Sequence, residues 1–125
     1  MLFDTDILIW FLRGNRKAAA FIDEAKERSV SIVSYMELLQ GIRDKEEFHE
    51  LKRFLLDFGF QMVPINEAIG QRAVVYLEEH GLSSRLCMAD ALIAATAAEH
   101  TVTLATGNRK HFSAIRDIET KAFLP

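Results

Sequence analysis

The sequence predicts an α/β fold with a central parallel sheet of four to five strands flanked by helices on both sides. Short apolar runs alternate along the chain with longer segments of helical periodicity, and the run at 29–33 is rich in β-branched residues. Strands separated by helices connect through crossovers, which make neighbouring strands parallel. No linker or repeat divides the 125 residues, so we expect a single domain over residues 1–125.

Strands and helices are expected in alternation along the chain. The apolar runs predict strands at 1–4, 29–33, 60–63 and 102–105, with 118–123 as a fifth strand at the edge. Helical spacing of apolar residues predicts helices at 7–13, 17–27, 34–42, 48–58, 66–81 and 88–99. Ser34 and Asn66 are expected to cap two of these helices, and Gly59 and Gly81 to end two.

Charge and composition exclude several classes of protein. The net charge of -3 argues against binding of nucleic acid or membrane by bulk charge. The single Cys87 cannot form an intrachain disulfide, and the four His lack zinc-ligand spacing. No stretch of about twenty residues is free of charge, so no membrane span is expected. We therefore expect a cytoplasmic protein.

Several acidic side chains follow a predicted strand or lie in an apolar helix. Asp4 ends the first strand among apolar neighbours, where a charge needs a partner, a metal or a shifted pKa. Asp90 lies in a helix too apolar for the surface, although a first-turn Asp also complements the helix dipole. Glu37 follows the second strand, although with Ser34 it also matches a capping box. Asp6 is expected mainly to cap the helix that follows it.

The fourth strand is followed by Thr106 and Asn108, which ordinary turn or capping chemistry also explains. Because the carboxyl ends of parallel strands share one edge, we expect Asp4, Glu37 and Asp90 to gather there. Carboxylates without His or Cys suit Mg²⁺ or Mn²⁺, which prefer oxygen ligands. A cation bound in this way can align water for in-line attack on a phosphodiester. The cluster therefore favours phosphoryl chemistry.

Four short motifs occur in order along nearly the whole chain: DTDILI at 4–9, SYMELLQG at 34–41, ADALIAATA at 89–97 and LATGNRKHF at 104–112. Together they resemble the motifs of PIN-domain ribonucleases, and specifically of the VapC-type toxins of prokaryotic toxin–antitoxin pairs. The resemblance implies a PIN-like sheet, a metal-dependent endoribonuclease, a homodimer and a cognate antitoxin that holds the enzyme inactive.

The resemblance also assigns roles by position. Asp4, Glu37 and Asp90 match the family's three central acidic residues, which implies that they bind Mg²⁺ or Mn²⁺. Asn108 falls in the fourth acidic position, where many relatives have Asp; it can offer an oxygen or orient water, but it adds no charge. Two positions are implied to support the site: Asp6, and the hydroxyl of Thr106.

Two further expectations concern the substrate and the partner. Because the net charge does not help, RNA binding must come from local basic residues, of which Arg85 and Arg109 precede or adjoin the acidic motifs. The surplus of apolar helix surface leaves room for a groove that accepts an antitoxin helix, although each aromatic side chain is as readily explained by the core.

Two other functions remain open from the sequence. One is a PIN-like binding module that has lost turnover through Asn108. The other is a haloacid-dehalogenase-type phosphatase, because Asp4 and Asp6 form an Asp-x-Asp start. That class requires Thr or Val where Leu8 stands and a late acidic pair where Thr-Gly-Asn stands, so it fits less well.

Overall fold

Five strands form one sheet in the order β3-β2-β1-β4-β5. The computed structural model describes all 125 residues. Its strands are β1 (Leu2–Phe3), β2 (Ser29–Ser31), β3 (Gln61–Val63), β4 (Leu104–Thr106) and β5 (Thr120–Ala122). Every neighbouring pair is parallel, which confirms the predicted sheet and places β1 at its centre.

Seven helices connect and cover these strands. They are α1 (Thr5–Leu12), α2 (Arg16–Glu24), α3 (Ile32–Gln40), α4 (Lys45–Asp57), α5 (Glu67–Ser84), α6 (Met88–His100) and α7 (Arg109–Phe112). None of them is both long and apolar enough to cross a membrane. The α/β class predicted from the alternation of apolar runs and helical periodicity is confirmed.

The core consists of two clusters, one on each face of the sheet. Successive strand residues point to opposite faces, so Leu2 and Phe3 of β1 enter different clusters. The Leu2 cluster includes buried residues of α5, α6 and α7: Ile69, Ala73, Ala91, Ile93 and Phe112. The Phe3 cluster includes buried residues of α1, α2 and α4: Ile7, Leu8, Ile22, Leu51 and Phe54. Helices therefore cover both faces, as predicted.

Two predicted helix boundaries are confirmed by their local chemistry. Asn66 caps α5, since its side-chain oxygen accepts a hydrogen bond from the Ile69 N–H at 2.9 Å. Gly59 follows the end of α4 with a φ of +67°, a left-handed conformation that costs glycine little. The prediction that α5 ends at Gly81 is wrong, because the helix continues to Ser84 and Arg85 takes the left-handed position.

The predicted helix caps Ser34 and Asp6 are also wrong, and both residues lie near the acidic side chains described below. Ser31 caps α3, since its hydroxyl accepts from the Val33 N–H at 3.1 Å, and Ser34 lies inside the helix. The capping-box explanation of Glu37 is therefore excluded. Asp4 rather than Asp6 caps α1, since its Oδ1 accepts from the Thr5 N–H at 2.8 Å.

Two leucines on α4 give a matched test of the core. Leu51 is 1% exposed and belongs to the Phe3 cluster, whereas Leu56 on the same helix is 80% exposed. We expect Leu51→Ala to lower the free energy of unfolding by about 2–5 kcal/mol, because it leaves a cavity. Leu56→Ala is expected to change it by less than about 0.5 kcal/mol. Urea unfolding of both variants measures the difference, and equal losses would contradict the assigned packing.

Candidate active site

Asp4 lies at the carboxyl end of the central strand, with both of its side-chain oxygens hydrogen-bonded. Its backbone N–H donates to the Ala105 carbonyl at 2.8 Å, which fixes the end of β1 against β4. Its Oδ1 caps α1, and its Oδ2 accepts from the Thr106 hydroxyl at 2.7 Å. Thr106 is fully buried, and this hydrogen bond holds the Asp4 carboxylate in one orientation.

The surroundings of Asp4 disfavour its negative charge. Burial is the main cause that raises its pKa, from 3.8 to about 7. The charge of Asp6 raises the pKa further, and the charge of Asp90 does so less, while the hydrogen bonds from Thr106 and Thr5 lower it. A buried carboxylate among like charges lacks a positive partner, and such an environment is typical of functional sites.

Asp6 also faces this site and is tied to the loop that follows β4. Its Oδ2 accepts from the Gly107 N–H at 3.0 Å, while its Oδ1 is buried and has no hydrogen-bond partner. Burial raises the pKa of Asp6 as well. A Cβ at position 107 would lie 2.6 Å from Asp6 Oδ2, so a larger residue there would have to displace the Asp6 carboxylate. Asp6 thus presents one free oxygen instead of capping a helix.

Glu37 reaches the site from α3 through a neighbour of Asp4. The Thr5 hydroxyl donates to Glu37 Oε1 at 2.7 Å, while the Thr5 N–H donates to Asp4. Glu37 itself is exposed at the surface. Asp4 and Glu37, which were predicted to lie close together, therefore both accept hydrogen bonds from Thr5.

Asp90 occupies the first turn of α6, as predicted, and has a partner that the sequence reasoning missed. His111 Nδ1 of α7 lies 3.4 Å from Asp90 Oδ2. The only sequence signal for His111 was its spacing of three residues from Asn108, which places both on one face of α7.

Asn108 connects His111 to the Asp4 side of the site. Its backbone N–H donates to the Thr106 hydroxyl at 2.9 Å, and its side-chain Nδ2 lies 3.0 Å from His111 Nδ1. Asn108 occupies the N-cap position of α7, but its side chain makes no capping hydrogen bond. The capping explanation of its side chain is therefore wrong.

The two arginines predicted to bind RNA are exposed and form no ion pair with the acidic residues. Arg85 follows α5 in a left-handed conformation, two residues before the N-cap of α6. Arg109 Nε donates to the Thr120 hydroxyl on β5 at 3.1 Å, which directs it toward the edge strand. Both remain available to an external group.

The donor chemistry of the site suits a hard divalent cation. No cation pairs with Asp4 or Asp6, and Asp6 Oδ1 is buried and has no hydrogen-bond partner. Asp90 lies near enough for its charge to raise the pKa of both, while its own Oδ2 lies 3.4 Å from His111 Nδ1. Oxygen ligands of this kind are those that Mg²⁺ and Mn²⁺ prefer. No three Asp, Glu, His or Cys side chains lie close enough together in this structure to hold a metal ion as they stand.

Comparison with known proteins identifies the family. The family model described as the PIN domain matches residues 1–118. The chain is 34% identical over 129 aligned residues to Ribonuclease VapC10 of Mycobacterium tuberculosis, covering 100% of this chain and 95% of the relative. A toxin–antitoxin complex from Klebsiella pneumoniae contains a chain of 30% identity and TM-score 0.76, with 98% of each chain covered.

A further solved structure agrees in fold. VapBC-1 from nontypeable Haemophilus influenzae contains a chain with a TM-score of 0.82 at 19% identity, with 97% of this chain and 96% of that chain covered. The chain therefore belongs to the PIN domain family, and within it to the VapC-type ribonucleases. Metal dependence is a general property of PIN-domain ribonucleases. The nuclease interpretation is confirmed over the phosphatase one.

Proposed function

We propose that this VapC-type chain, acting as a single PIN domain over residues 1–125, hydrolyses internal phosphodiester bonds of RNA as the toxin of a toxin–antitoxin pair. The main support is the cluster at the carboxyl end of β1 and β4, where buried Asp4 has its pKa raised to about 7 beside the unpaired oxygen of Asp6. Holding buried carboxylates close together without a cation destabilises the folded protein. A site with this arrangement is therefore well suited to bind a cation.

The proposed cation ligands are Asp4, Asp90 and Glu37, with Asp6 offering a further oxygen. A bound Mg²⁺ or Mn²⁺ would lower the pKa of a coordinated water and polarise a phosphoryl oxygen. Thr106 holds Asp4, and the Asn108 N–H holds Thr106, so these residues orient the first carboxylate. The amide of Asn108 is neutral, so it orients groups near Asp90 without adding charge.

The proposed substrate contacts are two exposed arginines near the site, and the proposed protein partner is taken from the complexes that contain similar chains. Arg85 and Arg109 are the proposed contacts for RNA phosphates, because Arg85 precedes the helix that carries Asp90 and Arg109 adjoins Asn108. A cognate antitoxin is the proposed protein partner, since structures with similar chains are toxin–antitoxin complexes. We also propose a homodimer acting in the cytoplasm, where its RNA substrate would be found.

Metal removal provides the direct test. The purified chain is incubated with an end-labelled RNA hairpin and with an unstructured RNA, in Mg²⁺, in Mn²⁺ and in excess EDTA. We expect internal cleavage with either cation, complete loss in EDTA and recovery when the cation is restored in excess, because water activation needs the metal. Gel separation of the fragments measures this.

The same experiment decides between enzyme and binding module. DNA of the same sequence serves as a control substrate, and the Asp90→Asn protein prepared in parallel controls for contaminating nucleases. Binding of RNA by the wild type without any cleavage in Mg²⁺ or Mn²⁺ would contradict the proposed function and favour a PIN-like binding module.

A further inference from the structure

Thr5 donates hydrogen bonds to two acidic side chains of the site, Asp4 and Glu37. It is the first residue of α1 and is buried. Its N–H donates to Asp4 Oδ1 at 2.8 Å, and its hydroxyl donates to Glu37 Oε1 at 2.7 Å. One residue therefore touches a carboxylate at the end of β1 and another on α3.

The Thr5 hydroxyl is itself held by Ser34. The two hydroxyl oxygens lie 2.8 Å apart, and Ser34 is fully buried in the first turn of α3. A hydroxyl carries a single hydrogen, and that of Thr5 is directed at Glu37, so Ser34 must donate to Thr5. The result is a short chain of hydrogen bonds that runs from Ser34 through Thr5 to Glu37, each bond polarising the next.

Glu37 is exposed, and the hydrogen bond from Thr5 is the side-chain contact that holds its carboxylate. No other side chain donates a hydrogen bond to it or forms an ion pair with it in this structure. Without Thr5, the Glu37 carboxylate would sample many rotamers, and a cation or substrate would have to order it on binding. The hydrogen bond from Thr5 keeps it in one place beforehand.

We propose that Thr5 is a positioning residue that sets the placement of Glu37 relative to Asp4. This inference rests on the proposed function, because it assigns Thr5 a role in preparing the cation site. Thr5 is buried at the start of α1, and its hydroxyl is the group that contacts Glu37, so the effect of its bulk and the effect of its hydroxyl can be separated by substitution.

The experiment compares Thr5→Val, which removes the hydroxyl and keeps the branched shape, with Thr5→Ser, which keeps the hydroxyl. We expect Thr5→Val to lower kcat for RNA cleavage about 10- to 100-fold with little change in KM, and to weaken Mn²⁺ binding about 10-fold in calorimetry without RNA. Thr5→Ser is expected to retain both within about threefold of the wild type.

A matched control is available on α6. Thr96 is also a buried helical threonine, and its hydroxyl donates to the Leu92 carbonyl at 2.7 Å, away from the acidic residues. Thr96→Val should leave kcat and Mn²⁺ affinity within about twofold of the wild type, because it removes a hydroxyl without touching Glu37. If Thr5→Val fails to fold, combining it with Ser34→Ala removes both hydroxyls and leaves no buried donor unpaired.

A double-mutant cycle tests whether Thr5 acts through Glu37. The double variant Thr5→Val/Glu37→Gln should have nearly the same kcat and Mn²⁺ affinity as Glu37→Gln alone. The reason is that the carboxylate which Thr5 positions is already altered in Glu37→Gln. Independent, additive losses would overturn the inference. So would wild-type Mn²⁺ affinity in Thr5→Val, or a loss in Thr5→Ser equal to that in Thr5→Val.

Crystal structures of the metal-free wild type and Thr5→Val separate this inference from the proposed function. A displaced or disordered Glu37 in the variant alone supports positioning by Thr5, whether or not the wild type cleaves RNA. An unchanged Glu37 overturns it. Failure of the wild type to cleave RNA overturns the proposed function instead.

Discussion

An Asp90→Asn variant is expected to cleave RNA at least about 100-fold more slowly than the wild type while folding normally. Asp90 is a proposed cation ligand, and loss of a direct ligand should cost at least as much as the 10- to 100-fold typical of residues that only support one. Asn keeps the size of the side chain and loses its charge, so the effect is on the cation and not on packing. Steady-state cleavage of the labelled hairpin in Mn²⁺ measures it.

Asp57 at the end of α4 offers the matched control. It is exposed and makes no side-chain hydrogen bond or ion pair, so Asp57→Asn makes the same chemical change outside the site. It should retain wild-type cleavage. Comparable activity of Asp90→Asn and Asp57→Asn would remove Asp90 from the catalytic site.

The second large effect is a gain in the free energy of unfolding, in contrast to the loss of cleavage rate expected for Asp90→Asn. Asp4→Asn is expected to make the metal-free protein more stable above pH 7, by roughly 2–4 kcal/mol. The reason is that burial raises the pKa of Asp4 to about 7 from 3.8, so ionised Asp4 destabilises the folded state at high pH. Asn retains an acceptor for the Thr5 N–H and removes the charge.

The pH dependence follows from the direction of this shift. Because the folded-state pKa is higher than the unfolded one, the folded state binds more protons between about pH 4 and 7. The contribution of Asp4 to stability is therefore full below about pH 4 and is lost as the pH rises to about 7. The advantage of Asp4→Asn should be large at pH 8 and absent at pH 4.

Urea unfolding in EDTA at both pH values measures this difference. Asp57→Asn is the control, and as an exposed charge in the last turn of α4 it should change by less than about 1 kcal/mol between the two pH values. Adding Mn²⁺ at pH 8 should stabilise the wild type and have little effect on Asp4→Asn, since a ligand stabilises only the state that binds it. If Asp4→Asn were less stable than the wild type by the same amount at both pH values, the charge of Asp4 would not be the cause.

Much of the fold could be predicted because its signals are local. Short apolar runs and helical spacing were enough to predict a parallel sheet of four to five strands and the buried helix of Asp90. Asn66 and Gly59 marked helix boundaries through their own local chemistry. The alternation of Leu2 and Phe3 between two clusters also follows from strand geometry alone.

The contacts within the site could not be predicted, because they join residues distant in sequence. Thr5 donates to Glu37 across 32 residues, and His111 approaches Asp90 only once α6 and α7 are packed. Local capping patterns were misleading here, since Ser34 fits a capping box yet lies inside α3. The Ser34 hydroxyl, which the pattern assigned to the end of a helix, instead contacts the Thr5 hydroxyl beside Glu37.

The position of β1 at the centre of the sheet has a consequence for the order of assembly. The bond between Thr106 and Asp4 spans 102 residues, and β1 pairs with β4 on one side and β2 on the other. Contacts of such long range close late in folding. A chain emerging from the ribosome would therefore lack the Thr106 hydrogen bond to Asp4 until residue 106 had been translated, so this part of the site would form only after β4 is made.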